Sequence, residues 1–397
     1  MKNRSFAIVN WTTTSPIPAD FFKGAVELEQ TGRGTVPHRI PARALAQANQ
    51  DAQLVMAESQ PSGVRLAFRS SAGTVELDTM RSRIAYSGAP AQPDGVVELV
   101  VNGEVVAGSA THGGNTATID MATGAVSQAA GPVCTSRFTG LPEGTNSLEL
   151  WLPHNEKTEV VALRTDASVE PAPATGRPVW LHHGSSISHG SNATRPTAIW
   201  PAVAARLGGV ELNNMALRGS ALLDQFTARA MRDAPAELIS VKIGINIVNL
   251  DLMRLRAFGP AVHGFLDTIR DGHPTTPLLV VSPIHCAIHE ETPGPGAFDL
   301  AALSSGEIRF CATGDPAQVP AGKLTLRVIR AELEKIVRQR AGDDANIHYL
   351  DGLALYGAQD ENELPLPDAL HPDEQTHQVM GERFAALAFG AGSPLGD

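Results

Sequence analysis

The hydrophobic period of this chain changes once, near residue 170, so its two halves must fold by different rules. Before that point, short runs alternate apolar and polar residues with the period of two of half-buried strands. They are Gly63 to Phe68, Thr74 to Leu77, Val96 to Val101, Glu104 to Val106, Asn115 to Asp120, Ser147 to Leu152 and Glu159 to Leu163. Asn102-Gly103 joins two of them, and both residues tolerate the positive φ of a tight hairpin. Many short strands between Gly, Asn and Pro turns predict a β-sandwich of jelly-roll type over residues 1–175.

Residues 170 to 178 read EPAPATGRP, a Pro-rich connection between two folding units. After it, apolar runs of strand length alternate with segments of helical period. The strand candidates are Val179 to Leu181, Val210 to Leu212, Leu238 to Ile243, Leu278 to Val281 and Ile347 to Leu350. Ile199, Val203 and Leu207 recur every fourth residue and stop at Gly208-Gly209, as one helix face does. Further helices are predicted over Ser220 to Met231, Phe258 to Ile269, Lys323 to Arg340 and Asp373 to Phe389. This alternation predicts an α/β unit over 176–397, a flavodoxin-like parallel sheet of about five strands with helices on both faces.

With 397 residues the chain has room for both units. Its net charge of -11 argues against nucleic acid or an anionic membrane as partner, since both need a basic surface. No run approaches the ~20 apolar residues of a membrane helix, and Phe6 to Val9 is too short for a signal-peptide core. Cys134, Cys286 and Cys311 are odd in number and widely spaced, which suits free thiols rather than a disulfide framework. The expected location is cytoplasmic. Nothing in the sequence sets an oligomeric state.

Sites in parallel sheets lie at the carboxyl ends of the strands. After the first strand comes His182-His183-Gly184-Ser185-Ser186-Ile187-Ser188-His189-Gly190, where a serine can present its hydroxyl at the sheet edge. After the second comes Asn214-Met-Ala-Leu-Arg218-Gly219, and after the third Gly244-Ile-Asn246. A glycine N–H and an asparagine amide are neutral, preorganised donors of the kind an oxyanion hole needs. Near the end comes Asp368-Ala-Leu-His371-Pro372. There a carboxylate can hold the tautomer of a histidine that accepts the serine proton. Pro372 is expected in the first turn of the last helix.

In this order the four pieces resemble the SGNH hydrolases, also called the GDSL esterase family. Gly184-Ser185-Ser186-Ile187-Ser188-His189-Gly190 is similar to the family's Gly-Asp-Ser-Leu-x-x-Gly block. The resemblance implies Ser186 as nucleophile, Asp368 and His371 as its triad partners, and Ser186, Gly219 and Asn246 as oxyanion donors. It covers residues 178 to 392. Two positions depart from the family: Ser185 replaces its aspartate, and Ile247 replaces the aspartate usual after Asn246. Ser188 is a competing nucleophile, but it breaks the Gly-x-Ser spacing. His189, Arg218 and His285 are expected at the substrate pocket. His182 and His183, being adjacent, should point to opposite faces of their strand. His285 and His289 are four residues apart, but no carboxylate or cysteine completes a tetrahedral set, so no metal is expected.

A β-sandwich before an SGNH domain resembles two kinds of protein. In carbohydrate esterases the front domain shapes or binds glycan. In polyketide-tailoring acyltransferases a carbohydrate-binding-module-like domain helps form the pocket, and an aryl group passes from coenzyme A to a polyketide hydroxyl. The cytoplasmic character and the few aromatic residues favour the second. The expected partners are a small-molecule acyl donor, with acyl-coenzyme A as a candidate, and a hydroxyl acceptor; no bound cofactor is expected. The front domain is expected to wall the pocket. A non-catalytic ligand-binding protein is the reading from another class.

Overall fold

The computed structural model describes residues 11–48, 51–87, 92–120 and 123–396, so the run Phe6 to Val9 lies outside the described residues. Among these, the first half forms an eight-stranded and a six-stranded sheet, mostly antiparallel. The Leu148 and Leu150 side chains of one sheet and Leu77 and Leu163 of the other close a shared core with Phe21 and Phe68. Burial of Cys134–Thr139 alternates strictly, the pattern of a strand with one face on that core.

The strand beginning at Thr74 runs to Ser87, well past Leu77. Its alternation is hidden because Glu76, Asp78 and Arg81 are themselves buried. They survive there by pairing: Arg164 holds both Glu76 and Asp78, and Arg81 holds Asp94. Helix Ala52–Ser59 also escapes the sequence pattern.

The second half holds five parallel strands: β1 (Val179–His183), β2 (Glu211–Asn214), β3 (Leu238–Lys242), β4 (Leu278–Val281) and β5 (Ile347–Leu350). Their spatial order is β2-β1-β3-β4-β5, the flavodoxin-like order, with the topological switch between β1 and β3. All four residues of β4 are buried, as expected for a strand covered on both faces. The long helix begins at Leu326 rather than Lys323, because Thr325 caps it by accepting from the Val328 N–H. The helix expected from Ser220 starts only at Gln225. Leu223 has φ of 64°, which no helix accommodates, and the preceding turn belongs to the site loop instead. Pro372 lies just outside the last helix, whose cap is Asp373.

The two halves share one apolar interior. Ile40, Leu54, Val100 and Trp151 of the front half pack in the same cluster as Trp180 and Trp200. A hairpin, Gly296–Phe298 with Phe310–Ala312, is inserted between β4 and β5, where the sequence pattern predicts no strand.

Candidate active site

β1 ends at His183, and Ser186 opens a one-turn helix, Ser186–His189. Ser185 caps this turn, its hydroxyl accepting from the Ile187 N–H at 3.4 Å. A serine thus does here the capping that an aspartate could do. Ser186 is buried, and its Oγ lies 2.9 Å from His371 Nε2. His371 Nδ1 lies 2.8 Å from Asp368 Oδ2. Asp368 Oδ1 accepts the backbone N–H groups of Leu370 and His371, which locks the intervening turn. Ala369 sits at the apex of that turn with φ of 65°. Burial pushes the Asp368 carboxyl up, but its bonds to the His371 ring and to the two N–H groups outweigh this and hold it below the usual range.

A residue the sequence did not single out completes this arrangement. Asn192 Nδ2 donates to Asp368 Oδ2 at 3.1 Å, from a backbone with φ of 66°. An asparagine tolerates that conformation better than most residues, and the short Gly190-Ser-Asn192 turn was its only signal.

The loop after β2 comes back to β1: the Met215 and Leu217 N–H groups donate to the carbonyls of His182 and Gly184. This brings the segment leading to Gly219 back beside the Ser186–His189 turn. Gly219 has φ of 73°, and a Cβ there would come within 2.9 Å of Gln53 Nε2, so the position admits glycine. Asn246 follows β3 and is buried, its Oδ1 accepting from the Ala221 N–H at 3.1 Å. That bond fixes the amide so that Nδ2 is the free end. Among the described residues, the Ser186 and Gly219 N–H groups and Asn246 Nδ2 are left without protein acceptors. Ile247 packs in the apolar core at zero exposure, where a carboxylate would be unpaired.

The front half builds this loop from behind. Arg39 is fully buried and its guanidinium donates to the carbonyls of Gln60, Ala57, Asn214 and Ala216. Gln53 Nε2 donates to the Arg218 carbonyl at 2.7 Å.

The expected pocket residues divide. His189 is not at the pocket: it is buried, with Nε2 donating to the His154 carbonyl at 2.6 Å and Nδ1 facing Arg39. Burial and the neighbouring Arg39 charge hold it neutral, well below its ordinary value. His285 has both ring nitrogens engaged, by Glu361 at 2.8 Å and Glu290 at 3.3 Å, so it offers substrate no free ring nitrogen. Arg218 is partly buried, close enough to Asp368 and Tyr86 to interact with both electrostatically. Ser188 is buried with its Oγ unpartnered and away from His371. The His182 and His183 rings turn to opposite faces, one against Trp200, the other against Phe265.

The inserted hairpin reaches the catalytic edge. The Phe310 N–H donates to the Asp368 carbonyl at 2.9 Å, and its ring meets His371 edge-on with centroids 5.6 Å apart. Phe298 stacks on Phe310 at 5.0 Å and remains 47% exposed, so the lip of the site is aromatic.

A serine, a histidine and a carboxylate in line beside three free donors, at the carboxyl edge of a flavodoxin-like sheet, mark a known arrangement, and residues 183–379 match the GDSL-like Lipase/Acylhydrolase family. Residues 183–379 form a GDSL-like lipase/acylhydrolase domain. No curated protein sequence matches the chain. Among solved structures, several are similar over most of the chain. The salicylyl-acyltransferase SsfX3 from a tetracycline biosynthetic pathway is 26% identical, with a TM-score of 0.75, covering 94% of this chain and 95% of that one. A putative GDSL-like lipase from Bacteroides ovatus is 15% identical, with a TM-score of 0.64, covering 94% and 96%. A family two carbohydrate esterase from Clostridium thermocellum is 14% identical, with a TM-score of 0.54, covering 82% and 91%. The last two likenesses concern the fold. Among the described residues, no helix of the chain is long and apolar enough to cross a membrane.

Proposed function

We propose that this GDSL-like protein transfers an acyl group, an aryl one in preference, from a thioester such as an acyl-coenzyme A to a hydroxyl of a polyketide-like acceptor. The observation that carries the acyl chemistry is the continuous line from Ser186 Oγ through His371 to Asp368, at 2.9 and 2.8 Å. His371 Nε2 takes the Ser186 proton as Oγ attacks the thioester carbonyl. The Ser186 and Gly219 N–H groups and Asn246 Nδ2 receive the oxyanion. His371 returns the proton to the departing sulfur, and an acyl-Ser186 remains. The acceptor hydroxyl then gives its proton to His371, attacks the ester carbonyl, and frees Ser186 with the proton restored.

Transfer rather than hydrolysis is supported by the likeness to a salicylyl-acyltransferase over both domains, and the aryl preference by the Phe310 and Phe298 rings beside His371. Free cysteines throughout the described chain suit a reducing, cytoplasmic setting. Hydrolysis of acyl esters, including those of carbohydrates, is the second reading, supported by the fold shared with the carbohydrate esterase.

The test is single-turnover acylation with a p-nitrophenyl ester and with an aryl-coenzyme A thioester, followed by intact mass, for wild type and Ser186→Ala. The expected adduct appears in wild type alone and persists in water until an alcohol is added. Rapid loss in water favours the esterase. No adduct from either donor sinks the acyl-Ser186 reading and returns attention to a binding protein that keeps the fold.

A further inference from the structure

Three arginines at the junction of the two domains are paired. Arg39 is held by four carbonyls, Arg65 by Glu211, and Arg195 by Glu374. Arg218 differs from these three. It is partly buried, yet its guanidinium has no hydrogen bond or ion pair to any described residue. Taking an always-charged group partly out of water without a partner is unfavourable, and such groups are kept where a ligand supplies the partner.

The position of Arg218 is fixed from both sides. Gln53 Nε2 holds its carbonyl at 2.7 Å, and the next residue is Gly219, an expected oxyanion donor. The Asp368 and Tyr86 side chains act on its charge, and its charge in turn acts on His154 and His189, which places it between the triad and the front domain. Asp368 does not neutralise it directly. Oδ1 accepts from Leu370 and His371, and Oδ2 from the His371 ring and Asn192. His154 and His189 are buried and neutral, so neither competes for an anion.

We propose that Arg218 binds a carboxylate on the substrate, a few bonds from the carbonyl that Ser186 attacks. This rests on the acyl-Ser186 reading and adds to it the charge of the group transferred or of its acceptor. A planar guanidinium with free donors matches a carboxylate through two parallel bonds. Phosphates of a coenzyme A thioester are a poor fit. With the thioester at Ser186, the pantetheine arm carries them far from a side chain that adjoins the oxyanion donor.

Two arms distinguish the sources. In the first, acylation by mono-p-nitrophenyl adipate is compared with acylation by p-nitrophenyl hexanoate. In the second, hexanoyl-Ser186 enzyme is resolved by glycolate or by glycolamide. Each is run with wild type, Arg218→Met and Arg218→Lys. The quantity read is the ratio of charged to neutral kcat/KM in each arm. In one arm wild type should favour the carboxylate by about 10- to 100-fold, the range of a charge-assisted bidentate bond. Arg218→Met should bring that ratio to about one, and Arg218→Lys should restore part of it. Equal ratios in wild type and Arg218→Met in both arms would overturn the proposal while leaving acyl-Ser186 intact.

A binding measurement needs no turnover. Ser186→Ala should bind benzoate and not benzamide, and the Arg218→Met, Ser186→Ala double variant should bind neither. Benzoate binding that survives the loss of Arg218 also overturns the proposal. Failure of the neutral ester to acylate wild type, with benzoate binding still dependent on Arg218, would overturn the acyl-Ser186 reading alone.

Discussion

Arg39 of the front domain donates through Nη1 to the carbonyl oxygen of Asn214 at 2.9 Å, across the junction between the two halves. The same guanidinium holds Ala216, so the loop bearing Gly219 is shaped by a residue remote in sequence. The front half therefore packs directly against the loop that leads to Gly219.

Arg39→Met should leave several buried carbonyls without donors, at about 1–3 kcal/mol each before relaxation. We expect a marked drop in thermal stability and a loss of acylation rate exceeding the change in KM. Arg39→Lys should recover part of the stability and less of the rate, because an ammonium cannot reproduce the fork that reaches four carbonyls. Denaturation curves and single-turnover rates on the same preparations check this. Wild-type rates in a folded Arg39→Lys would show that the loop does not depend on the fork.

Asn246 faces the site with Nδ2 because Oδ1 is held by the Ala221 N–H. Asn246→Ala should lower kcat by roughly 100- to 1000-fold with little change in KM, the signature of a donor used in the transition state. Asn246→Asp should be at least as poor, since an oxygen then faces the developing charge. Steady-state kinetics on a p-nitrophenyl ester decide the point, and a kcat within a few-fold of wild type for Asn246→Ala would remove Asn246 from the oxyanion hole.

Asn192 acts through Asp368, to which it donates at 3.1 Å. Asn192→Gly keeps the positive φ accessible and removes the amide, so it isolates the hydrogen bond from backbone strain. We expect about a tenfold fall in kcat, from the ~1.5–3 kcal/mol of a bond to a charged acceptor only partly expressed in the rate. Asn192→Asp should fall further, because a second carboxylate would sit against the first. Equal activity of both variants and wild type would leave Asn192 as a turn residue.

Stability should fall steeply on mild acidification. Burial pushes His154, His183 and His377 down to about 4 from an ordinary 6.5. Between pH 6.5 and 4 the unfolded chain therefore binds more protons than the folded one. Each such histidine then lowers stability by up to about 1.4 kcal/mol per pH unit as pH falls. His38 runs the other way: its bond with Glu58 raises it to about 8, a stabilisation complete below 6.5 and lost as pH rises through 8. The stability maximum should lie near neutrality. Urea unfolding from pH 4.5 to 8.5 measures it, and His154→Gln should flatten the acid limb. A flat acid limb in wild type would mean that these rings are solvated.

The parallel sheet was legible because its central strands are short apolar runs covered on both faces, and β4 and β5 fall on Leu278–Val281 and Ile347–Leu350 as the sequence has them. Ser186, Asp368 and His371 were legible because each follows a strand or precedes a helix in a fixed chain order, which places them at one edge of such a sheet. The Thr74–Ser87 strand was not, because its buried charges mask the alternation and find their partners on a strand about 80 residues away.

Local spacing and hydrophobic period thus set the architecture of each half and pointed to the serine, histidine and aspartate that the fold brings together, since both depend on neighbours a few residues apart. Tertiary packing, within the second half and between the halves, settled the rest. It turned His189 inward to His154 and Arg39, left Arg218 free, gave Asp368 its Asn192 partner, and brought Phe310 against His371. Those contacts join residues far apart in the chain, and the direction of a polar side chain depends on which distant group meets it, which no local pattern encodes.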